Sequence, residues 1–170
     1  LTFQSGWRVT YLSGDVPTEI MVYTQTSSDV RRIAKEIEHI AVSTGDKFDM
    51  PIIVDSEGGF SWPWAWYLRE YKVSYPNLSD PKNEVALDDA AILIVNAVNN
   101  SELEDSLVDD FVTGERFQHR SWFPESYRGM NWLGGDNNLL NPSVWQSVSR
   151  YWLLRELETP LGSADGYVYY

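Results

Sequence analysis

Pro51-Ile52-Ile53-Val54-Asp55-Ser56-Glu57-Gly58-Gly59-Phe60-Ser61 is the stretch on which the reading of the fold turns. Ile52, Ile53 and Val54 are β-branched and consecutive, so a strand there is apolar on both faces and both faces need covering. The run stops at an acid and passes through two glycines. Ser61 then caps a helix from about Trp62 to Tyr71, with Pro63 tolerated in its first turn. A two-faced apolar strand followed by a loop and a helix is the unit of a sheet sandwiched between layers.

The same alternation recurs in both directions along the chain. Upstream, Ile20-Met21-Val22-Tyr23-Thr24-Gln25 reads as a strand. Ser27 or Ser28 then caps a helix with Asp29 in its first turn, where an acid suits the positive end of the dipole. Val30, Ile33, Ala34, Ile37 and Ala41 form its apolar stripe, Arg32 and Glu36 pair on the outer face, and Gly45 stops it. Downstream come a short strand at Lys72-Val73-Ser74-Tyr75, a turn-rich loop from Pro76 to Asn83, and a buried strand from Ala91 to Val95. Ser101-Glu102-Leu103-Glu104 fits a capping box, opening a helix that carries Leu103, Leu107 and Phe111 and ends at Gly114. Arg116 to Trp122 reads as a strand and Gly134 to Asn138 as a polar loop. Asn141-Pro142 starts a helix reaching about Glu158, and Gly166 to Tyr170 is a last strand. Strands alternating with helices predict an α/β chain with a mostly parallel sheet flanked by helices on both faces, a Rossmann-like three-layer sandwich. Residues 1–170 are expected to form one soluble domain.

Composition limits the function classes. The chain has 170 residues, 25 Asp and Glu against 13 Lys and Arg, and a formal charge of −12. Nucleic acid needs a basic footprint, and Arg31-Arg32 is too small a cluster to supply one. Attraction to anionic lipid by charge is disfavoured for the same reason. The absence of cysteine excludes disulfides and thiolate chemistry without fixing a compartment. The longest clean apolar run, Ala90 to Val95, is far short of the roughly 20 residues that cross a bilayer. Because the chain opens at Leu1 rather than Met, an excised piece of a longer protein is expected.

The end of the strand at Asp55 is where open α/β sheets place ligands. Asp55 and Glu57 have the chemistry of an acid/base pair or of oxygen ligands to a cation; the plainer alternative is a strand-end Asp and a solvated Glu. Gly58-Gly59 before a helix lacks both a dinucleotide fingerprint and the Lys of a phosphate loop, so no cofactor is expected. Ser61-Trp62-Pro63-Trp64-Ala65-Trp66-Tyr67-Leu68-Arg69-Glu70-Tyr71 is the unusual segment. On a helix, Trp64, Tyr67, Leu68 and Tyr71 share one face and Trp62, Trp66 and Arg69 another. One aromatic face enters a core; the other needs either burial too, with the helix wedged between the sheet and the C-terminal helix, or a partner, for which Trp62, Trp66 and Arg69 are the residues left. His39 is expected on an outer helix face. His119 has no carboxylate or His spacing that points to zinc, and no metal site or catalytic centre is expected. Asn77-Leu78-Ser79 and Asn99-Asn100-Ser101 match the glycosylation sequon.

Four segments together carry a resemblance. They are Gly14-Asp15-Val16-Pro17-Thr18-Glu19 running on through Val22 to Val30, Trp62 to Tyr71, Arg120-Ser121-Trp122-Phe123-Pro124-Glu125-Ser126-Tyr127-Arg128, and Pro160-Leu161-Gly162-Ser163-Ala164-Asp165. The chain resembles the carboxy-terminal soluble part of the flippase-activity-associated membrane protein family. That family is similar to the dolichyl-phosphate-mannose–protein mannosyltransferases of the C-type glycosyltransferase superfamily. The resemblance implies a parent with many transmembrane helices, whose catalytic acid lies in a membrane loop absent from this chain. It also implies a domain on the extracytoplasmic face, whose partners are its own transmembrane region and a lipid-linked glycan or acceptor. The tryptophan-rich segment lacks the Asp of the Trp-Trp-Asp motif of oligosaccharyltransferases.

Two functional expectations follow. In the first, the chain is a non-catalytic accessory domain that touches sugar through Trp62, Trp66 and Arg69. In the second, it is a self-contained enzyme working through Asp55 and Glu57 on a phosphorylated or glycosylated small molecule.

Overall fold

The computed structural model describes residues 2–12, 14, 16–19, 22–80, 87–107, 111–112, 114–125, 138 and 140–170. Ile20 and Met21 of the first expected strand, the end of the Pro76–Asn83 loop and most of the Gly134–Asn138 loop lie outside them, as do Asp15 and 126–128 of the resemblance segments. The chain divides into two compact units, 1–25 with 121–162 and 26–120 with 163–170. The described elements are α1 (Thr2–Tyr11), β1 (Thr24–Thr26), α2 (Ser28–Thr44), β2 (Pro51–Val54), α3 (Trp64–Tyr67), β3 (Lys72–Ser74), β4 (Ile92–Asn96), α4 (Ala97–Leu107), β5 (Gly114–Trp122), α5 (Pro142–Leu154) and β6 (Gly162–Tyr169), besides three short 3₁₀ turns.

The six strands form one sheet in the order β1-β5-β6-β4-β2-β3. β2 pairs parallel with β3 and with β4, Ile53 standing opposite Ser74 and Leu93. β4 pairs antiparallel with β6, Ile94 opposite Val168. β5 and β6 also run antiparallel, since Gly114 lies beside Tyr169, Gly166 beside Phe117 and Gly162 beside Trp122. So do β1 and β5, where Ser27 N–H donates to the His119 carbonyl and Phe123 N–H to the Tyr23 carbonyl, both at 3.0 Å.

The expectation of a mostly parallel, Rossmann-like sheet is therefore wrong: the sheet is mixed. β4 and β5, joined through α4, do run the same way, as a helical crossover makes them. However, the carboxy-terminal β6 slots between them and pairs antiparallel with both. Glycine makes room for it. A Cβ at Gly166 would collide with the rings of Phe60 and Phe117, and one at Gly114 with the ring of Tyr169. Alternation of helix and strand sets the direction of a crossover but says nothing about a strand that later inserts into it.

Within the second unit, strand period sorts the core. Ile52, Val54, Ile92, Ile94 and Val168 lie in one cluster with Val30, Ile33, Ile37 and Ala41 of α2 and with Phe60, Trp64 and Leu68. Ile53, Leu93, Val95 and Tyr169 join Phe111, with Leu103 of α4 packed against them. Each fully buried aliphatic contributes roughly 1.5–3 kcal/mol relative to exposure.

α2 forms as its sequence dictates. The Ser27 hydroxyl accepts from Asp29 N–H, Arg32 meets Glu36 at 2.8 Å, and Gly45 closes the helix at φ 86°. α4 begins earlier than the capping box suggests, at Ala97, where the Asn96 side chain accepts from Val98 N–H; Ser101 is inside the helix and Gly114 opens β5. α5 is capped by Asn141 as expected but stops at Leu154, because Arg155 turns left-handed at φ 60°. The expected helix over 62–71 shrinks to Trp64–Tyr67. Pro63 offers no N–H, and Trp and Tyr lose side-chain freedom against a preceding helical turn. The segment instead winds as successive turns, with Phe60 N–H on the Glu57 carbonyl and Trp62 N–H on the Gly59 carbonyl.

The first unit is organised around a buried ion pair. Arg155 Nε donates to Glu19 at 2.8 Å, Nη2 to the Ser5 hydroxyl at 2.8 Å, and Nη1 to the Trp152 carbonyl at 2.6 Å. This guanidinium ties α1 to the end of α5.

Candidate functional site

Asp55 closes β2 and is wholly buried. Its Oδ1 accepts from Glu57 N–H at 3.0 Å and Leu78 N–H at 3.3 Å, and its Oδ2 from Asn96 N–H at 3.3 Å and Asn99 Nδ2 at 2.7 Å. A carboxylate with four donors on it is a clamp: it joins the ends of β2 and β4 to the two loops beside them. Glu57 is partly exposed and accepts from the Ser79 hydroxyl at 2.8 Å, while its backbone carbonyl receives Asn96 Nδ2. Asn99 is buried on Asp55, which takes the second sequon out of reach of modification in the folded chain. The loop joins Asp55 to the aromatic segment but leaves Asp55 no free oxygen for a substrate.

The aromatic segment divides as its spacing implies. Trp64 and Leu68 are buried, whereas Trp62 is 72% and Trp66 66% exposed. Tyr67 departs from its expected side and reaches solvent, 38% exposed. The Arg69 guanidinium lies over the Trp66 ring, 4.7 Å from its centroid, and donates to the Trp66 carbonyl at 3.0 Å. Its second partner is Glu70 at 3.7 Å. Arg69 and Trp66 are thus brought together as one flat, exposed pair, as a cation over an indole face prefers.

Arg69 also borders a groove of about 320 Å³ between this segment and α2. Its aromatic lining is Phe48, Tyr67 and Tyr71, with Phe48 edge-on to Tyr71 at 5.5 Å. Arg31, Lys35, Glu38 and Glu70 supply the charged rim. Burial, then the charges of Glu38 and Glu70, push the Tyr71 phenol above its usual range, so it stays a neutral donor. Sequence reasoning missed Phe48 and the groove face of Tyr67; an apolar Phe in the turn after Gly45 was the only available signal. A larger groove of about 770 Å³ on the other flank of α2 holds none of the residues nominated from sequence. There Arg32 is tied to Glu36 at 2.8 Å and Glu115 at 2.6 Å, and Tyr170 donates to Glu36 at 2.9 Å. Its size reflects an open flank whose central polar groups already have partners.

His39 is exposed on α2. His119, in β5, is fully buried between Phe60, 4.2 Å away, and Trp64, 6.4 Å away. Neither ring nitrogen completes a hydrogen bond among the described residues; backbone groups of Trp62 and Phe60 lie nearby without reaching that geometry. Burial first, and the charge of Arg120 second, push its pKa down to about 4, so the ring is a neutral core aromatic at neutral pH. Among the described residues no group of three or more His, Asp or Glu is placed to hold a metal ion.

Comparison with protein-family models, with curated proteins and with solved structures finds no match to this chain.

Proposed function

We propose that the chain is a non-catalytic, extracytoplasmic domain of a membrane-embedded glycosyltransferase-like protein, and that it holds a glycan or acceptor while the chemistry is done elsewhere. The resemblance of its four sequence segments supplies the membrane setting. The observation that carries the binding role is the exposed Trp66–Arg69 pair beside the groove of Phe48, Tyr67 and Tyr71. Aromatic faces stack on the apolar faces of sugar rings, and a rim carrying both Arg or Lys and Glu both donates to and accepts from hydroxyl groups. What weighs against an enzyme at Asp55 and Glu57 is that Asp55 is engaged by four donors and that neither residue borders either groove beside α2.

Titration of the chain with oligosaccharides and polyprenyl-phosphate sugars, followed by Trp fluorescence, tests the reading. A saturable change is expected, weakened about tenfold by Trp66→Ala, the upper end of what one lost ring contact gives. Silence from every sugar, or equal responses in the wild type and in Trp66→Ala and Arg69→Ala, ends it.

A further inference from the structure

The first unit carries an aromatic surface that the groove does not explain. Phe3, Trp7 and Tyr11 fall at i, i+4 and i+8 of α1, on one stripe, and stand 83%, 52% and 67% exposed. Their rings follow one another, with centroids 6.4 Å and then 4.4 Å apart. Ser5, elsewhere on the helix, is buried under Arg155, so the exposed row is the outward side of an anchored helix. α5 repeats the pattern: Trp145 and Trp152, seven residues apart, are both exposed.

Charge distinguishes these two helices from α2 and α4, which carry acids. The chain has 25 Asp and Glu, yet none falls within α1 or α5. Arg150 is balanced from outside by Glu156 at 2.7 Å, and Arg8 lies 3.8 Å from Glu19, the carboxylate that already accepts from Arg155. Each of the two helices thus presents exposed rings and no acid of its own, on a strongly acidic molecule. Contiguous exposed rings mark an interaction surface. Trp7 and Tyr11 each carry one polar edge, and rings of that kind suit the headgroup layer of a bilayer, where Trp and Tyr concentrate. A helix of 10 residues is about 15 Å long, too short to cross, and no described helix is long and apolar enough to do so. It lies along the surface instead.

We propose that α1 rests its Phe3–Trp7–Tyr11 row in the headgroup layer of a lipid bilayer, held by ring insertion rather than by charge. The inference is independent of the groove, which belongs to the other unit. Flotation of the whole chain with phosphatidylcholine vesicles tests it. Binding to these neutral vesicles is expected, with little gain when phosphatidylserine is mixed in. Trp7→Ala with Tyr11→Ala is expected to lower the partition coefficient about tenfold or more. Val98→Ala, at an apolar residue of the other unit more exposed than Trp7 or Tyr11, leaves it unchanged. Should the double variant lose its helix by circular dichroism, Phe3→Gln, at the most exposed ring, must show the same direction. Failure of the wild type to float overturns the proposal. So does binding that appears only with phosphatidylserine, or a dimer in sedimentation equilibrium that the double variant dissolves.

Discussion

Trp64 and Trp66 are two residues apart and have opposite fates. Trp64 is 0% exposed, packed edge-on to Phe117 at 5.7 Å and stacked toward His119; Trp66 is 66% exposed and carries Arg69 over its ring. The same side chain is a structural post on one side of the segment and a free platform on the other. The difference teaches that residue type assigns no role here: the helical offset of about 200° between positions two apart does.

The largest effect is expected at the buried ring. Trp64→Ala is expected to cost about 4 kcal/mol, read from chemical denaturation, because it leaves a cavity among Phe117, His119 and the strands. Trp64→Phe should recover most of that, since the buried indole N–H has no hydrogen-bond partner among the described residues to lose. Next comes the clamp that fixes the loop leading into the segment. Asp55→Asn is expected to cost about 3 kcal/mol, since an amide nitrogen would face donors that now point at a carboxylate oxygen.

Acid probes the inner side through His119. Its pKa is about 4 in the folded chain against 6.5 for the free ring, so between those values the unfolded chain binds more protons. Stability is therefore complete above pH 6.5, falls as the pH drops, and levels off below about 4. The loss is about 2 kcal/mol by pH 5, and His119→Phe should flatten that limb of the pH profile. The smallest effect is on the outer side: Trp66→Ala should move stability by no more than about 0.5 kcal/mol while weakening the sugar response. A large stability loss at Trp66 would erase the contrast between the two rings.

Much of the second unit was legible because local physics decides it. The cap at Ser27, the stripe of α2 and the stop at Gly45 involve residues within a few positions of one another. The assignment of Trp62 and Trp66 outward and Trp64 and Leu68 inward also came from periodicity, although only Trp64–Tyr67 is helical. Tyr67 went the other way, and Phe48 joined it in the groove, through packing that no short window contains. Asp55 read equally well as catalyst or strand end until the donors from Leu78, Asn96 and Asn99 were in place, 23 to 44 residues away.

Local sequence was therefore enough for the caps of α2 and α5, the buried stripe of α2, the apolar strands, the acidic charge and the two-sided aromatic segment, since each depends on neighbours along the chain. It took the fold to decide that β6 inserts antiparallel between β4 and β5, that Asp55 is a clamp and that the rings of α1 are left exposed. Those outcomes depend on which distant surfaces meet: Gly114 leaves room for the Tyr169 ring of β6, Gly166 of β6 leaves room for the rings of Phe60 and Phe117, and periodicity carries no information about that choice.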